Sequence, residues 1–451
     1  MKRTLGTTLA GLCLSVWTNL ASTAFLPGQL QRSAATSDQQ PFEFVIGKSL
    51  FERVWVSAPA TTRAADGLGP LYNARSCSAC HPDGGRGRPP ANPNEAPLSL
   101  ILKLDIPQPH PDATHSRHNN RPEPVYGLQL QNAGVAGHPA EAHISVHYRE
   151  ISVELSGGET VNLRQPVYEL SQIRYGDLHP QTRFSPRLAP QLAGMGLLDA
   201  ISMQDLLARA DARDLDGDGI SGRVNWVWSR REQRRLPGRF GHKAGLANLD
   251  EMTQSAFLTD LGLSTPLYPE AHGDCTERQT ACRDAIHGAI ADRDEVEAPE
   301  TVVAAVHFYL SQLAPPASAR TEDVDTRKGR QLFDAIGCSA CHAPRYDVMH
   351  NGHLQPIHPY SDLLLHDLGD GLADQRPEAQ ANGREWRTAP LWGMGRASTV
   401  HGAGNFLHDG RARTLLEAIL WHAGEALPQR DAVAALPAAQ RGQLLRFLES
   451  L

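Results

Sequence analysis

From Ile144 to Leu170 the chain alternates apolar and polar residues with period two on either side of a Ser-Gly-Gly turn, ISVHYREISVELSGGETVNLRQPVYEL. That alternation predicts a β-hairpin. Elsewhere the pattern is helical. Residues 326–336 form an amphipathic stretch closed by Gly337, and the C-terminal LPAAQRGQLLRFLESL spaces Leu444, Leu445, Leu448 and Leu451 along one face behind Pro437. PETVVAAVHFYLSQLA reads as a helix that Pro315 and Pro316 end, beginning a linker. Leu415, Ile419 and His422 stand at i, i+4 and i+7, so the histidine shares an apolar helix face. At the N-terminus Lys2 and Arg3 precede the apolar run LGTTLAGLCLSVWTNLA and the small residues ASTA ending at Ala24. This is the pattern of a signal peptide over residues 1–24, cleaved near Ala24. No later segment reaches the ~18 consecutive apolar residues of a spanning helix. The expectation is an exported, periplasmic protein with no membrane span in the mature chain.

The chain also repeats itself. GKSLF from Gly47 precedes one CSACH string, and GRQLF from Gly329 precedes a second. After each comes a matched string, RLAPQLAGMG from Arg187 and RTAPLWGMG from Arg387. A shared order of this kind points to an internal duplication. The pattern therefore predicts a mainly α-helical protein of two fused cytochrome c-like domains, residues 25–316 and 317–451. The β-hairpin is an insertion in the first.

The chain has 451 residues, with a net charge of −7 and no basic stripe, so nucleic acid is not an expected partner. Its seven cysteines change the picture most. Four of them spell Cys-x-x-Cys-His twice, as Cys77, Cys80 and His81 and as Cys338, Cys341 and His342. This is the attachment pattern of a c-type haem, with both sulfurs bonded to the porphyrin and the histidine facing the iron. Two covalently bound haem c groups are the expected cofactors. A redox Cys-x-x-Cys needs no histidine after it, and a zinc site would show further ligand spacings. Cys13 lies in the apolar run, which leaves Cys275 and Cys282 for a short-loop disulfide in an oxidising compartment.

Sixth ligands are less constrained. His422 is the candidate for the second iron and Met394 its rival, while Met195, His242 or an open site are candidates at the first. Arg183, Arg187 and Arg387 are candidate partners of haem propionates. His110, His115 and His118 read as solvated loop residues. DLDGDGISGRVN places Asp214, Asp216 and Asp218 like the first three ligands of a calcium loop, although Asn225 stands where a bidentate Glu belongs. Calcium is therefore a second candidate cofactor.

These motifs, with DGLGPLYNARSCSACH, DGDGISGRVNWVW, GRFGHKA, DLLLHDLG and FLHDGRARTLLEAILWH, resemble the bacterial di-haem oxidoreductase family over nearly the whole mature chain. Its members are described as peroxidase-like and are also labelled thiol oxidoreductases. His242 stands where the family commonly has Trp. More distantly the C-terminal half is similar to the di-haem cytochrome c peroxidases, in which a methionine fourteen residues beyond a His-Asp-Gly histidine binds the high-potential haem. Counting fourteen from His408 gives His422, so the resemblance and the helix pattern name the same residue. A bis-histidine haem has a lower potential than a His/Met one.

Three functions follow from this. The first is an enzyme with one substrate-facing haem, open to a small-molecule oxidant, and one relay haem fed by a small redox protein or respiratory-chain donor. The second is a pure electron carrier. The third is an accessory to iron uptake. Insertions able to build a pocket around the first haem favour the enzyme. The thiol-oxidoreductase label finds little support, because haem occupies both Cys-x-x-Cys pairs and Cys275/Cys282 lack redox-motif spacing.

Overall fold

A computed structural model describes residues 41–107, 119–289, 295–315, 323–397 and 404–451. The signal-peptide residues, Pro316 and His110, His115 and His118 lie outside them. The expectation of a mainly α, cytochrome c-like fold is wrong. The protein is 29% helix and 21% strand, with the strands spread over many small sheets.

The reason lies in short strands whose partners are far away in sequence. LILKLD at Leu100–Asp105 buries Leu100, Leu102 and Leu104 on one face and pairs antiparallel with Arg183–Leu188, Leu100 opposite Leu188. Gln129–Leu130 adds a third strand on its other edge. In the second half Tyr346–His350 pairs with His353–Ile357 around Asn351 and Gly352, both at positive φ (50° and 79°). Asn-Gly is the dipeptide such a two-residue turn demands, and it stands in the sequence as MHNGHL. The period-two segment does form a hairpin, His143–Glu154 against Thr160–Ser171 in a twelve-pair register.

The internal repeat has a structural counterpart. The Pro41–Glu52 helix packs on the Glu300–Gln312 helix, and the Val324–Ile336 helix packs on the Ala438–Ser450 helix. Asp323 caps the third of these by accepting from the Thr326 amide at 2.7 Å, and Gly337 ends it at φ 92°. Each pair crosses at a glycine. A β-carbon on Gly47 would overlap the Ala305 carbonyl oxygen, and one on Gly329 the Gln443 carbonyl oxygen. Each Arg-x-Ala-Pro string leaves a strand and enters a left-handed glycine, Gly194 at φ 73° and Gly393 at φ 76°. Their amides bond the Leu313 and Leu451 carbonyl oxygens at 2.8 and 3.0 Å, joining each turn to the end of its closing helix.

The two halves are not packed independently. The main core joins Phe51, Phe257, Val306 and Tyr309 to Tyr346, Val348, Ile357 and Trp392. The hairpin also reaches across. Tyr168 donates to Asp409 at 3.0 Å, while Arg164 donates to the Arg411 and Gly410 carbonyls at 3.0 and 3.1 Å. An element of the first half therefore grips the His408–Arg411 loop of the second.

These crossings make a paired prediction. Gly329→Ala overpacks a backbone contact and should destabilise the protein by about 1–3 kcal/mol. Gly442→Ala, in the partner helix Ala438–Ser450 but facing open space, should stabilise it by about 0.5–1 kcal/mol. Urea denaturation of both variants decides the matter, and equal effects would contradict it.

Candidate functional site

Both Cys-x-x-Cys-His motifs open onto one cavity of about 330 Å³ with a predominantly apolar lining. Cys77, Cys80, His81, Cys338, Cys341, His342 and His422 all line it, as do Met195 and Met394. Cys77–Cys80 is a single helical turn whose Ala79 amide donates to the Ser76 hydroxyl oxygen at 3.2 Å. His81 follows with its amide on the Cys77 carbonyl, and His342 makes the same bond to Cys338, each 3.0 Å long.

Three of the cavity histidines share one arrangement. His81 Nδ1 lies 2.8 Å from the Pro190 carbonyl oxygen, His342 Nδ1 3.0 Å from that of Tyr360, and His422 Nδ1 2.8 Å from that of Ala418. A carbonyl can only accept, so Nδ1 carries the proton in each ring and Nε2 is left as a bare lone pair. This is how a metal-binding imidazole is oriented by its surroundings. Burial pushes the His342 pKa down to about 4, and the His422 ring acts in the same direction, as expected of neighbouring imidazoles. Burial also lowers His81 and His422. The helix expected to carry His422 is short, Leu415–Leu420, and the histidine sits just past its end with its amide on Ile419 at 3.0 Å.

The cysteine thiols are unpaired in both motifs. Burial, with the Asp260 carboxylate nearby, pushes Cys77 up to about 12 and Cys80 higher still. Burial likewise takes Cys338 to about 12. Thiols held protonated are poor nucleophiles, which argues against dithiol chemistry at Cys77 and Cys80. The remaining pair, Cys275 and Cys282, is a disulfide.

The cavity also has cationic groups in its wall. Arg86, Arg239 and Arg387 all line it. Arg86 gives Nη1 to the Leu407 carbonyl at 3.2 Å, while its Nε and that of Arg239 have no hydrogen-bond partner among the described residues. Arg387 gives Nε to the Gly241 carbonyl at 2.9 Å, and burial lowers both Arg86 and Arg387 to about 10. Half-buried guanidiniums with free N–H groups, as at Arg86 and Arg239, suit carboxylates. Of the three arginines singled out in the sequence, only Arg387 is here. Arg183 is paired bidentately with Asp105 at 3.0 and 2.8 Å, and Arg187 faces Asp374 and Glu378 at 3.2 and 3.5 Å. Arg86 and Arg239 went unnoticed, although GGRGRPP directly follows the first motif.

His242 also lines the cavity, but its Nε2 donates to the Leu188 carbonyl at 2.9 Å. Burial and then Arg187 push its pKa down to about 3. His408 stacks on Trp386 with ring centroids 3.8 Å apart and planes 15° apart. His366, in the DLLLHDLG string, was not foreseen. Its Nε2 is 2.8 Å from Asp362, its Nδ1 2.9 Å from Glu425, and Cys341 Sγ lies 3.7 Å away. Burial alone would depress this histidine, but Asp362, Cys341 and Glu425 outweigh it and hold the pKa well above 6.5. At the acidic loop the carboxylates that converge are Asp211, Asp214 and Asp216, within 4.8 Å of one another. Asp218 instead turns back to accept from the Ile220 amide at 2.8 Å.

The family described as "Di-haem oxidoreductase, putative peroxidase" matches residues 29–451. No curated protein matches the chain. A solved structure of Kuenenia stuttgartiensis hydrazine synthase aligns over all of both chains at 13% identity with a TM-score of 0.32, too slight a likeness to carry an argument. No described helix is long and apolar enough to cross a membrane. The match spans both Cys-x-x-Cys-His motifs and the cavity they share, and the chain belongs to the di-haem oxidoreductase family.

Proposed function

We propose that the protein is an exported, periplasmic oxidoreductase with peroxidase-like activity, in which one haem meets the oxidant and the other relays electrons. The observation that carries this is an asymmetry among the cavity histidines. The second motif has two with a bare Nε2, His342 and His422, whereas at the first His81 has that role and the Nε2 of His242 is already bonded to a carbonyl. Cys77 and Cys80 would hold one haem covalently and Cys338 and Cys341 the other. Arg86, Arg239 and Arg387 would take their propionates. When bound, each haem supplies an iron that exchanges single electrons, and an iron with a free position also binds a small oxidant.

The chain's own residues do the rest. His342 and His422 would both offer Nε2 to the second haem, which suits that site to electron transfer. His366, held between Asp362 and Glu425, is fixed in position beside Cys341. The apolar lining excludes water from both sites. The signal-like N-terminus and the Cys275–Cys282 disulfide agree with an oxidising compartment. A small redox protein would deliver electrons. A second reading, a non-enzymatic electron carrier, is favoured by Met195, a soft ligand lining the cavity beside the first motif. Cyanide or carbon monoxide separates the two, since the enzyme binds them at one haem and a carrier with both irons capped does not.

Two predictions follow from the second site. His422→Ala should turn one haem high-spin in the optical and ferric paramagnetic resonance spectra while the protein mass still includes two haems. An unchanged spectrum would move the ligand elsewhere, Met394 first. Glu425→Gln removes a charge-assisted bond to His366 and should cost about 1.5–3 kcal/mol near pH 6. Because the folded His366 pKa is raised, its stabilisation is complete below about 6.5 and is lost as pH rises through the folded value. Thermal melting from pH 6 to 10 should therefore fall more gently in Glu425→Gln than in the wild type.

A further inference from the structure

Trp386 has the setting most exposed to oxidation. It lines the cavity, and its strand partner His366 lies beside Cys341. Its stacking partner His408 accepts through its carbonyl from Leu188, two residues before the Pro190 that holds His81. Through its strand and stacking partners the indole is thus linked to elements that hold both motifs. Yet it is surrounded by positive charge. The Lys243 ammonium is 4.4 Å and the Arg187 guanidinium 4.5 Å from the ring centroid. Lys243 is wholly buried, fixed by Asp374 at 2.9 Å and by the Arg376 and Asn382 carbonyls at 3.0 and 2.7 Å. Trp421, next to His422, has the Arg411 guanidinium 4.6 Å from its ring. Both indole N–H groups are buried without a hydrogen-bond acceptor among the described residues.

We propose that Lys243, Arg187 and Arg411 keep Trp386 and Trp421 in their reduced form, so that oxidising equivalents produced at the haem sites are met by an external electron donor and not by the chain. This rests on the oxidoreductase reading above. Taking one electron from an indole reduces the oxidant by one electron and leaves a radical cation. A neighbouring positive charge in a low-dielectric interior raises the energy of that cation. The usual relief is transfer of the N–H proton to a base, and neither indole N–H has a hydrogen-bond acceptor among the described residues. Both routes to a lasting tryptophan radical are therefore closed. At Trp386, Lys243 and Arg187 share the Asp374 carboxylate and Glu378 lies 3.5 Å from Arg187, while at Trp421 Asp409 pairs with Arg411 at 2.9 Å.

Trp392 is the internal comparison. It lines the same cavity and is equally buried, but no cation lies over its ring among the described residues. The purified di-haem protein would be oxidised without donor by hydrogen peroxide and, separately, by photogenerated tris(bipyridine)ruthenium(III). Oxygen uptake at each tryptophan is then read by peptide mass spectrometry. The expected wild-type result is at least tenfold more modification at Trp392 than at Trp386. Lys243→Met should raise Trp386 modification at least tenfold and leave Trp392 unchanged, with Asp374 still paired to Arg187, and Lys243→Arg should restore the wild-type yield. If Lys243→Met does not fold, the wild-type comparison decides alone. Equal modification of Trp386 and Trp392, or no response to Lys243→Met, overturns the proposal. The expected pattern with ruthenium but an inert Soret band with peroxide supports the cation cage and overturns the peroxide chemistry instead.

Discussion

An imidazole buried in an apolar cavity is tolerated only when neutral and when the ring nitrogen that bears its proton is bonded. The backbone carbonyls of Pro190, Tyr360 and Ala418 meet that condition for His81, His342 and His422. Each bond fixes a tautomer, and each tautomer turns a lone pair toward the cavity. Everything proposed for the site depends on this. With the opposite tautomer the same residues would present N–H groups to an iron, and the two motifs would be inert.

Of those carbonyls, the repeated pattern accounts for one. In each half two helices cross at a glycine, and an Arg-x-Ala-Pro string runs from a strand into a left-handed glycine bonded to the end of the closing helix. In the first half that string supplies Pro190 itself. The halves then diverge. The inserted hairpin of the first clasps the His408–Arg411 loop of the second through Tyr168 and Arg164, so the cavity wall is built from both.

How much of this the residues disclose depends on how local each feature is. The hairpin around Gly157 and Gly158 is legible because its pattern and its turn are contiguous. The Cys-x-x-Cys-His motifs are legible because the chemistry fits within five residues, and His422 because helix periodicity set it on an apolar face. Leu100–Asp105 escaped because its partner begins about eighty residues later, and a six-residue apolar run by itself suits strand or buried helix equally. The Asn351-Gly352 turn was a local signal passed over. His366 was out of reach for another reason. Its charge depends on Glu425, which is 59 residues away. Arg86 and Arg187 differ only in which side of a strand or loop faces the cavity, and no pattern of one sequence encodes that.

The central claim is an asymmetric pair of haem sites, one closed by two imidazoles and one open. Ferric electron paramagnetic resonance of the purified wild-type protein tests it most directly, on material whose mass includes two haems. The account predicts one low-spin bis-imidazole signal and one high-spin signal in equal amounts. Two low-spin signals, both indifferent to cyanide, would contradict it.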